Sequence, residues 1–216
     1  MVTKEELQNI REDYASRELL KSTLADNPIQ QFSIWFKEAL DAKVREVNAM
    51  NLATCGSNGV VSARIVLLKS FDESGFVFFT NYKSEKGEQM AENSNVALTF
   101  FWPELERQVR IEGKVTKVSE EESLAYFNSR PRLSQLGAIV SEQSKEIANR
   151  ELLQAKMNEL ALQYDGIVIP KPKHWGGYLV TPNKVEFWQG RPGRLHDRLV
   201  FESTNKVNWQ VKRLCP

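Results

Sequence analysis

The chain has 216 residues, 41% of them hydrophobic and 26% charged, which is the composition of a globular protein with a sizeable core. Its 29 basic and 28 acidic residues nearly cancel, which argues against a general nucleic-acid-binding protein, so any basic cluster is local and favours a discrete anionic ligand. The two cysteines exclude a disulfide framework, form no zinc motif and fit a cytoplasmic protein. No signal peptide is evident at the charged N-terminus, and no apolar run approaches the about 20 residues that span a membrane.

A periodic spacing of apolar residues first becomes clear after about 25 polar, helix-prone residues. Phe32, Trp35, Phe36 and Ala39 recur at the spacing of one helical face, which predicts an amphipathic helix that begins at Pro28. Strand-like runs separated by turn signals follow: NAMNLATC, VVSARIVLLK, FVFFTN, VALTFFW and RQVRIEGKVTKV. With one short helical interruption near SEKGEQMAEN, this spacing predicts a largely antiparallel sheet or barrel.

The second half of the chain adds helices and then returns to strands. Ser119 and Glu122 form a capping box ahead of the helix SEEESLAYFNSRP, and Pro131 either ends that helix or starts another. NRELLQAKMNELALQY predicts a further helix, and GGYLVTP, KVEFWQ, RLVFES and VNWQVKRL predict strands. The simplest interpretation is one β-rich α+β domain.

Two segments combine basic and hydroxyl side chains in patterns suited to phosphate. Arg64 and Lys69 lie in SARIVLLK, and a regular strand would point them to opposite faces. They are either two separate anion contacts or solvent-exposed charges at the strand ends. Tyr126 and Arg130 share a helical face at i, i+4, and Ser134 follows the proline turn. These three fit a small phosphate, or equally a packed tyrosine beside surface polar residues.

The stretch WQGRPGRLHDR concentrates charge around a glycine–proline bend. On extended backbone, Arg194, His196 and Arg198 would share one face. Without an anion nearby, the repulsion between their positive charges would be unfavourable. Trp188, just before the bend, could pack against a flat ligand ring. The separate loop VSEQSKE adds the polar residues Gln143 and Ser144. No Walker loop, GxGxxG, HExxH or GxSxG is present, so the residues predict a β-rich domain that binds one or two small phosphorylated ligands.

The order of short motifs resembles the pyridoxine/pyridoxamine 5′-phosphate oxidase family. The motifs are RIVLLK, FFTN, SEKG, ERQVRIEG, YFNSRPRLSQLGA, VSEQS, PKPKHWGGY, VEFWQG, RLHDR and RLCP, and they run from about Arg11 to Pro216. The resemblance implies an FMN-binding split β-barrel with peripheral helices, over residues 26–216, behind a mobile segment over residues 1–25. It implies a cytoplasmic homodimer, with FMN across the interface and Gln143 and Ser144 from the partner. It also implies oxidation of pyridoxamine or pyridoxine 5′-phosphate to pyridoxal 5′-phosphate by O2, giving H2O2 in vitamin B6 biosynthesis and salvage.

The resemblance also assigns residues, and it implies no metal. Those assigned to FMN are Arg64, Ile65, Val66, Leu67, Phe79, Thr80, Glu85, Lys86, Gln108, Gln143, Ser144, Trp188 and Arg198. Those assigned to the substrate are Arg11, Glu12, Asp13, Tyr14, Lys69, Tyr126, Arg130, Ser134, Arg194, Leu195 and His196. Arg194, His196 and Arg198 are the expected catalytic residues, and His196 is the better of the two histidines as a general base, although an arginine or solvent can serve instead.

One departure concerns the expected FMN phosphate, because Glu85 stands where the family usually has an arginine. Two other functions remain open on the sequence. A split-barrel flavin reductase would use a nicotinamide cofactor, and it leaves the YFNSRP cluster without a role. A non-catalytic flavin- or pyridoxal-phosphate-binding protein would hold its ligand without turnover, and Glu85 is the feature that leaves this open.

Overall fold

The computed structural model describes residues 3–9, 14, 17–203 and 208–216. The helices are α1 (Lys4–Asn9), α2 (Pro28–Asp41), α3 (Glu85–Glu92), α4 (Glu120–Ser129), α5 (Arg132–Val140) and α6 (Arg150–Gln163). The strands are β1 (Ala49–Cys55), β2 (Val61–Leu67), β3 (Ser70–Asp72), β4 (Gly75–Asn81), β5 (Asn95–Trp102), β6 (Arg107–Lys117), β7 (Trp175–Gln189), β8 (Asp197–Ser203) and β9 (Trp209–Arg213). The predicted β-rich α+β class is confirmed. Of the described helices, none has the length and apolar character needed to cross a membrane.

The described residues group into two compact units. The larger unit comprises Asn48–Leu98 and Glu112–Pro182, and the smaller unit comprises Met1–Val47, Thr99–Ile111 and Asn183–Pro216. Neighbouring strands of the sheet are hydrogen-bonded in the order β2-β1-β5-β6-β7-β4-β3. The antiparallel register of β1 and β2 runs from Ala49↔Leu67 to Cys55↔Val61, and that of β4 and β7 runs from Phe76↔Val180 to Asn81↔Trp175.

One glycine of the larger unit is required by close strand packing. A Cβ added to Gly113 in β6 would lie 2.3 Å from the carbonyl oxygen of Thr181 in β7. Only a residue without a side chain allows the two backbones to approach this closely.

The smaller unit is built on the predicted amphipathic helix α2. The side chain of Asn27 caps the helix by accepting from the backbone N–H of Gln30 at 2.9 Å. Phe32 packs against Phe100 with ring centroids 5.1 Å apart, and Trp35 packs edge-on against Phe187 at 5.1 Å. The second half of β7 pairs with β8, and β8 pairs with β9, both antiparallel.

The structure adds three features to the predicted elements. Strand β3 was not predicted, and α5 shows that the chain starts another helix directly after Pro131. Strand β7 is continuous, where the sequence predicted two strands. Pro182 lies between the stretch of β7 that pairs with β4 and the stretch that pairs with β8, so neither of these two pairings requires its missing N–H.

Candidate functional site

The larger unit contains an open cavity of about 800 Å³, which lies within the size range of small-molecule sites. It brings together a large part of the predicted cofactor and substrate residues from distant parts of the chain. The predicted residues that line it are Arg64, Ile65, Val66, Leu67, Lys69, Phe79, Thr80, Lys86, Tyr126, Arg130, Ser134 and Gln143. The expectation that Arg64 and Lys69 face opposite ways is wrong, because β2 ends at Leu67 and the alternation of a strand does not extend to Lys69.

Lys86 is a buried cation in one part of the cavity wall. Its Nζ donates to the side-chain oxygen of Gln143 at 2.9 Å and to Oγ of Ser84 at 3.3 Å. Thr80 donates to the same Gln143 oxygen at 3.3 Å. The resemblance implied that Gln143 of a partner subunit contacts FMN, whereas here Gln143 of the same chain accepts hydrogen bonds from Lys86 and Thr80. Burial and the nearby charge of Arg64 lower the pKa of Lys86.

Arg64 lies beside this lysine and is held by neutral oxygens. Nη1 of Arg64 donates to Oγ1 of Thr54, to the carbonyl oxygen of Ser62 at 3.2 Å and to that of Leu52 at 3.4 Å. Burial lowers the pKa of Arg64, while the charge of Glu85 acts in the opposite direction. Two cations that each lose solvation at one place form a site that an anion would stabilise.

Glu85 lies close enough to these cations to act on them. Its carboxylate accepts from Oγ of Ser62 at 3.0 Å and from the side-chain amide of Gln89 at 3.2 Å. Glu85 lines a smaller cavity of about 290 Å³ together with Ser62, Ala63, Arg64, Lys86 and Ser144. Its negative charge raises the pKa of Lys86, against the larger effect of burial. Glu85 therefore opposes the positive potential of Arg64 and Lys86.

The second polar group of the cavity is the predicted cluster around the end of α4. Tyr126 and Arg130 both line the cavity, with Ser134 in the first turn of α5 and Lys69 near the Tyr126 ring, its Nζ 5.9 Å from the centroid. Burial lowers the pKa of Arg130. Among the described residues, none accepts a hydrogen bond from the buried Nη1 of Arg130. A buried guanidinium N–H without an acceptor is costly, and a ligand oxygen would satisfy it.

Sequence analysis missed several residues that line the cavity: Asn81, Pro131, Gly137, Ala138, Ser141 and Trp175. Asn81 is buried, and its side-chain amide donates to the carbonyl oxygen of Ser141 at 3.3 Å. Trp175 is 6% exposed and stacks near the Phe79 ring with centroids 5.5 Å apart. The signal for both lay in the motifs FFTN and HWGGY, which indicated the family but had no role assigned to these positions.

The smaller unit holds three predicted aromatic residues in one cluster. The rings of Trp188 and His196 have centroids 4.7 Å apart, and Tyr14 lies 5.8 Å from each of them. Gly190 makes room for Tyr14, because an added Cβ would lie 2.8 Å from Cγ of the tyrosine. The expected substrate residues Arg11, Glu12 and Asp13 lie outside the described residues.

The expectation that Arg194, His196 and Arg198 alternate along one face is wrong. Arg194 closes a 3-10 turn with φ of 61°, and β8 begins only at Asp197, so the backbone is not extended over the whole segment. Asp197 accepts from the backbone N–H of Leu19 at 3.1 Å and pairs with Arg213.

Arg198 is fixed by a buried carboxylate that the sequence did not single out. Its Nε and Nη2 donate to the two oxygens of Glu186 at 2.8 and 3.1 Å, and its Nη1 donates to the carbonyl oxygen of Cys215 at 3.0 Å. Glu186 is 3% exposed. The hydrogen bonds to Glu186 raise the pKa of Arg198, so this arginine is a fixed cation.

The hydrogen bonding of His196 disagrees with a general-base role. The backbone N–H of Arg191 donates to Nδ1 of His196 at 3.1 Å. Burial and the charge of Arg194 hold the pKa of His196 below its ordinary value, so the ring is neutral at neutral pH. A neutral ring that accepts at Nδ1 carries its proton on Nε2, so Nε2 is a donor and has no lone pair to accept a proton.

The remaining predicted residues lie outside this cavity wall. Gln108 is half-buried on β6 in the smaller unit, and Arg194 and Leu195 are exposed. Ser144 has φ of 72° and lines the smaller cavity beside Glu85 rather than the large one.

Two family models match the chain. The one described as pyridoxamine 5′-phosphate oxidase matches residues 36–164, and the one described as the pyridoxine 5′-phosphate oxidase C-terminal dimerisation region matches residues 175–216. A pyridoxine/pyridoxamine 5′-phosphate oxidase from Cytophaga hutchinsonii is 53% identical over 214 residues, which are 99% of this chain and 100% of that protein. One of the same name from Actinobacillus succinogenes is 53% identical over 211 residues, which are 98% of this chain and 100% of the relative.

Solved structures agree on the fold. PhzG from Burkholderia lata, in complex with tetrahydrophenazine-1-carboxylic acid, is 30% identical with a TM-score of 0.87, over 94% of this chain and 100% of that chain. A pyridoxamine 5′-phosphate oxidase-related, FMN-binding protein from Nostoc punctiforme is 16% identical with a TM-score of 0.70, over 89% of this chain and 100% of that chain. The predicted split-barrel fold is thereby confirmed, and the chain belongs to the pyridoxamine 5′-phosphate oxidase family.

Proposed function

We propose that this protein catalyses the FMN-dependent oxidation of pyridoxamine or pyridoxine 5′-phosphate to pyridoxal 5′-phosphate, with O2 as electron acceptor and H2O2 as the second product. Its family membership and the relatives that bear this name support the activity. The observation that carries the proposal is the cavity itself, because two sets of cationic and hydroxyl side chains line one space of about 800 Å³. An enzyme that binds a phosphorylated cofactor and a phosphorylated substrate side by side needs two such sets.

The residues present fit FMN. Arg64 and Lys86, which both lose solvation, supply the charge for its phosphate, and Gln143 and Thr80 supply polar contacts beside them. The apolar Ile65 and Leu67 line the same cavity and offer contacts to a flat ring. FMN, when bound, supplies the two-electron oxidation of the substrate and its coupling to O2.

The second set fits the substrate phosphate. Arg130 offers an unsatisfied donor at Nη1, Tyr126 and Ser134 offer hydroxyl groups, and Lys69 adds a second cation. Anchoring the phosphate at this end restricts the position of the substrate ring and of the carbon that is oxidised. A flavin reductase that uses a nicotinamide cofactor has no comparable use for this set.

Residues outside the cavity wall have the remaining roles in the proposal. Arg198, held by Glu186, is a fixed cation that stabilises negative charge that develops on the cofactor. Nε2–H of His196 orients the amine or hydroxyl group of the substrate by donating a hydrogen bond to it. Trp188, which contacts the His196 ring, packs against the cofactor ring. Arg194 covers the substrate from an exposed turn, and solvent accepts the proton that His196 cannot accept.

We also propose a homodimer with cofactor sites at the interface, in the cytoplasm. The match of residues 175–216 to a dimerisation region supports association. A second support is the edge strand β2, whose apolar side chains Val61, Ile65 and Leu67 are 68%, 65% and 41% exposed. An exposed apolar row on an edge strand favours burial against another surface.

The experiment that tests the activity is anaerobic addition of pyridoxamine 5′-phosphate to the purified protein. We expect stoichiometric FMN in the protein as isolated, loss of its visible absorption band on addition, and recovery of the band with H2O2 when O2 is admitted. NADPH in a parallel sample should leave the band unchanged. Rapid bleaching by NADPH alone would indicate a flavin reductase, and an unchanged band with both compounds would indicate a binding protein without turnover.

A further inference from the structure

We propose that Trp175 is a positioning residue for substrate phosphate recognition, because its indole face holds the guanidinium of Arg130 in the orientation that presents free N–H donors to the phosphate. This inference rests on the proposed function, which identifies the anion of that part of the cavity as the substrate phosphate. Trp175 belongs to none of the residue sets that the sequence motifs assigned, and it acts through Arg130 rather than through an atom that reacts.

The contact between the two side chains is close and partly desolvated. Cζ of Arg130 lies 4.5 Å from the centroid of the Trp175 ring, and both residues line the cavity. An arginine near the face of a tryptophan is attracted by the ring quadrupole, and the attraction is stronger where water is excluded. The indole face is not a conventional hydrogen-bond acceptor. It therefore orients the guanidinium of Arg130 while the N–H donors of the arginine remain available. This agrees with Nη1 of Arg130, which is buried and has no acceptor among the residues that the structure describes.

The tryptophan is itself held in place by several contacts. Its ring is close to parallel with those of Phe79 and Tyr126, at interplanar angles of 16° and 10°, and Phe127 meets it edge-on at 5.4 Å. Its backbone is fixed at the start of β7, where its carbonyl oxygen accepts from Nζ of Lys171 at 2.9 Å. Gly177 keeps space for this stack, since an added Cβ would lie 2.8 Å from the Phe79 ring. Such a rigid platform can restrict a flexible arginine to one orientation.

The competing explanation is that Trp175 only fills the core formed with Phe127, Leu136 and Ile169. A core residue stabilises the site as a whole, so its loss should weaken the binding of any ligand of the cavity. A positioning residue for Arg130 should instead weaken only ligands that carry the phosphate. The two explanations therefore differ in the ratio of affinities for a phosphorylated ligand and its unphosphorylated form.

The test measures this ratio on the FMN-loaded protein. The probes are 4-deoxypyridoxine 5′-phosphate and 4-deoxypyridoxine, which lack the group that is oxidised, and binding is followed by perturbation of the flavin spectrum. The variants are Trp175→Leu, Trp175→Phe, Arg130→Ala and the double variant Trp175→Leu/Arg130→Ala. Leu136→Val is the matched control, since Leu136 is 1% exposed in the same core and does not line the cavity.

We expect the parent protein to prefer the phosphorylated probe, and Arg130→Ala to lose most of that preference. Trp175→Leu should reduce the preference about tenfold, which is the size of a desolvated cation–π contact, and Trp175→Phe should reduce it less. In the Arg130→Ala background, Trp175→Leu should cause little further change in the preference, because the residue that it positions is absent. Leu136→Val should leave the preference unchanged.

Equal weakening of both probes by Trp175→Leu and Trp175→Phe would overturn the inference while the proposed function stands. Independent effects of the two substitutions in the double variant would overturn it as well. A parent protein that binds FMN but shows no preference for the phosphorylated probe would contradict the proposed function itself.

Discussion

At the scale of single residues, Glu85 is the side chain that most clearly opposes the proposed chemistry. Its carboxylate, held by Ser62 and Gln89, lies beside the two cations proposed for the FMN phosphate and acts on the pKa of both. A negative charge at this position lowers the attraction of the site for a dianionic phosphate.

We expect Glu85→Arg to tighten FMN binding several-fold, because the change replaces an anion near a phosphate by a cation in a partly solvated setting. Titration of the apoprotein with FMN, followed by quenching of flavin fluorescence, measures the dissociation constant. Glu88→Arg makes the same charge change on an exposed residue of the same helix, next to Lys145, and should have a smaller effect. An unchanged or larger constant for Glu85→Arg would show that residue 85 does not face the phosphate.

His196 gives a second prediction at this scale, about where the ring carries its proton. The N–H of Arg191 bound to Nδ1 selects the tautomer with the proton on Nε2. In the ¹⁵N spectrum of selectively labelled protein near neutral pH, Nδ1 of His196 should therefore show the shift of a nitrogen without a proton, and Nε2 the shift of a protonated nitrogen. The reverse assignment would restore the general-base role.

The same tautomer predicts the behaviour of substitutions and of pH. Glutamine can place an amide N–H near the position of Nε2, so His196→Gln should retain much more activity than His196→Leu, and both should retain FMN. Protonation of Nδ1 removes the acceptor of the Arg191 N–H and should therefore reduce activity. Because burial and the charge of Arg194 lower the pKa of His196, this loss should occur at a lower pH than the titration of an ordinary histidine. His196→Gln should remove that acidic limb from the pH profile of kcat/KM, and a limb of unchanged position would assign it to another group.

At the scale of elements, the ends of α4 and α5 place the proposed phosphate site. Oγ of Ser119 accepts from the backbone N–H of Glu122 at 3.0 Å and so starts α4, which carries Tyr126 and ends just before Arg130. Pro131 then directs the chain into α5, whose first turn contains Ser134. A break between two helices thus collects three side chains of the proposed phosphate site within nine residues of sequence, Tyr126 to Ser134.

We expect Ser119→Ala to lower the free energy of unfolding by about 1 kcal/mol, because the first turn of α4 loses its cap. It should also weaken the binding of 4-deoxypyridoxine 5′-phosphate, since α4 carries Tyr126 of the proposed phosphate site. Asn149→Ala removes the equivalent cap of α6, where Oδ1 of Asn149 accepts from the N–H of Leu152 at 3.0 Å. It should cost similar stability but leave ligand affinity unchanged. Equal effects of both variants on affinity would mean that α4 has no special part in binding.

At the scale of the whole molecule, the exposed apolar row of β2 predicts association. Val61 is 68% exposed and does not line the large cavity, so its replacement tests the surface without changing the proposed ligand contacts. We expect Val61→Lys to shift the protein towards monomer in analytical ultracentrifugation and to lose FMN in parallel. Leu162→Lys, at a site 80% exposed on α6, serves as the control and should remain dimeric. A Val61→Lys monomer that keeps its full FMN would contradict a cofactor site at the interface.

Much of this protein can be derived from its sequence, because local patterns decide local structure. Apolar spacing predicted α2, turn residues separated most of the strands, and the motif order identified the family and hence its fold and cofactor. The serine cap of α4 was also predictable, since a capping hydrogen bond spans only three residues. The boundary between residues 1–25 and 26–216 stays a prediction.

The tertiary structure decided what depends on contacts between distant residues. The alternation of side chains along β2 could not reveal that Lys69 and Arg64 line the same cavity, because the end of the strand is set by its pairing with β1. The proton position on His196 depends on the turn that brings the Arg191 N–H to its ring, and the pairing of Arg198 with Glu186 depends on the register of β7 and β8. The contact between Trp175 and Arg130 joins two residues that lie 45 positions apart in the sequence. Residue types and spacing determine which groups are available for chemistry, while folding determines their neighbours, and neighbours set charge, protonation and orientation.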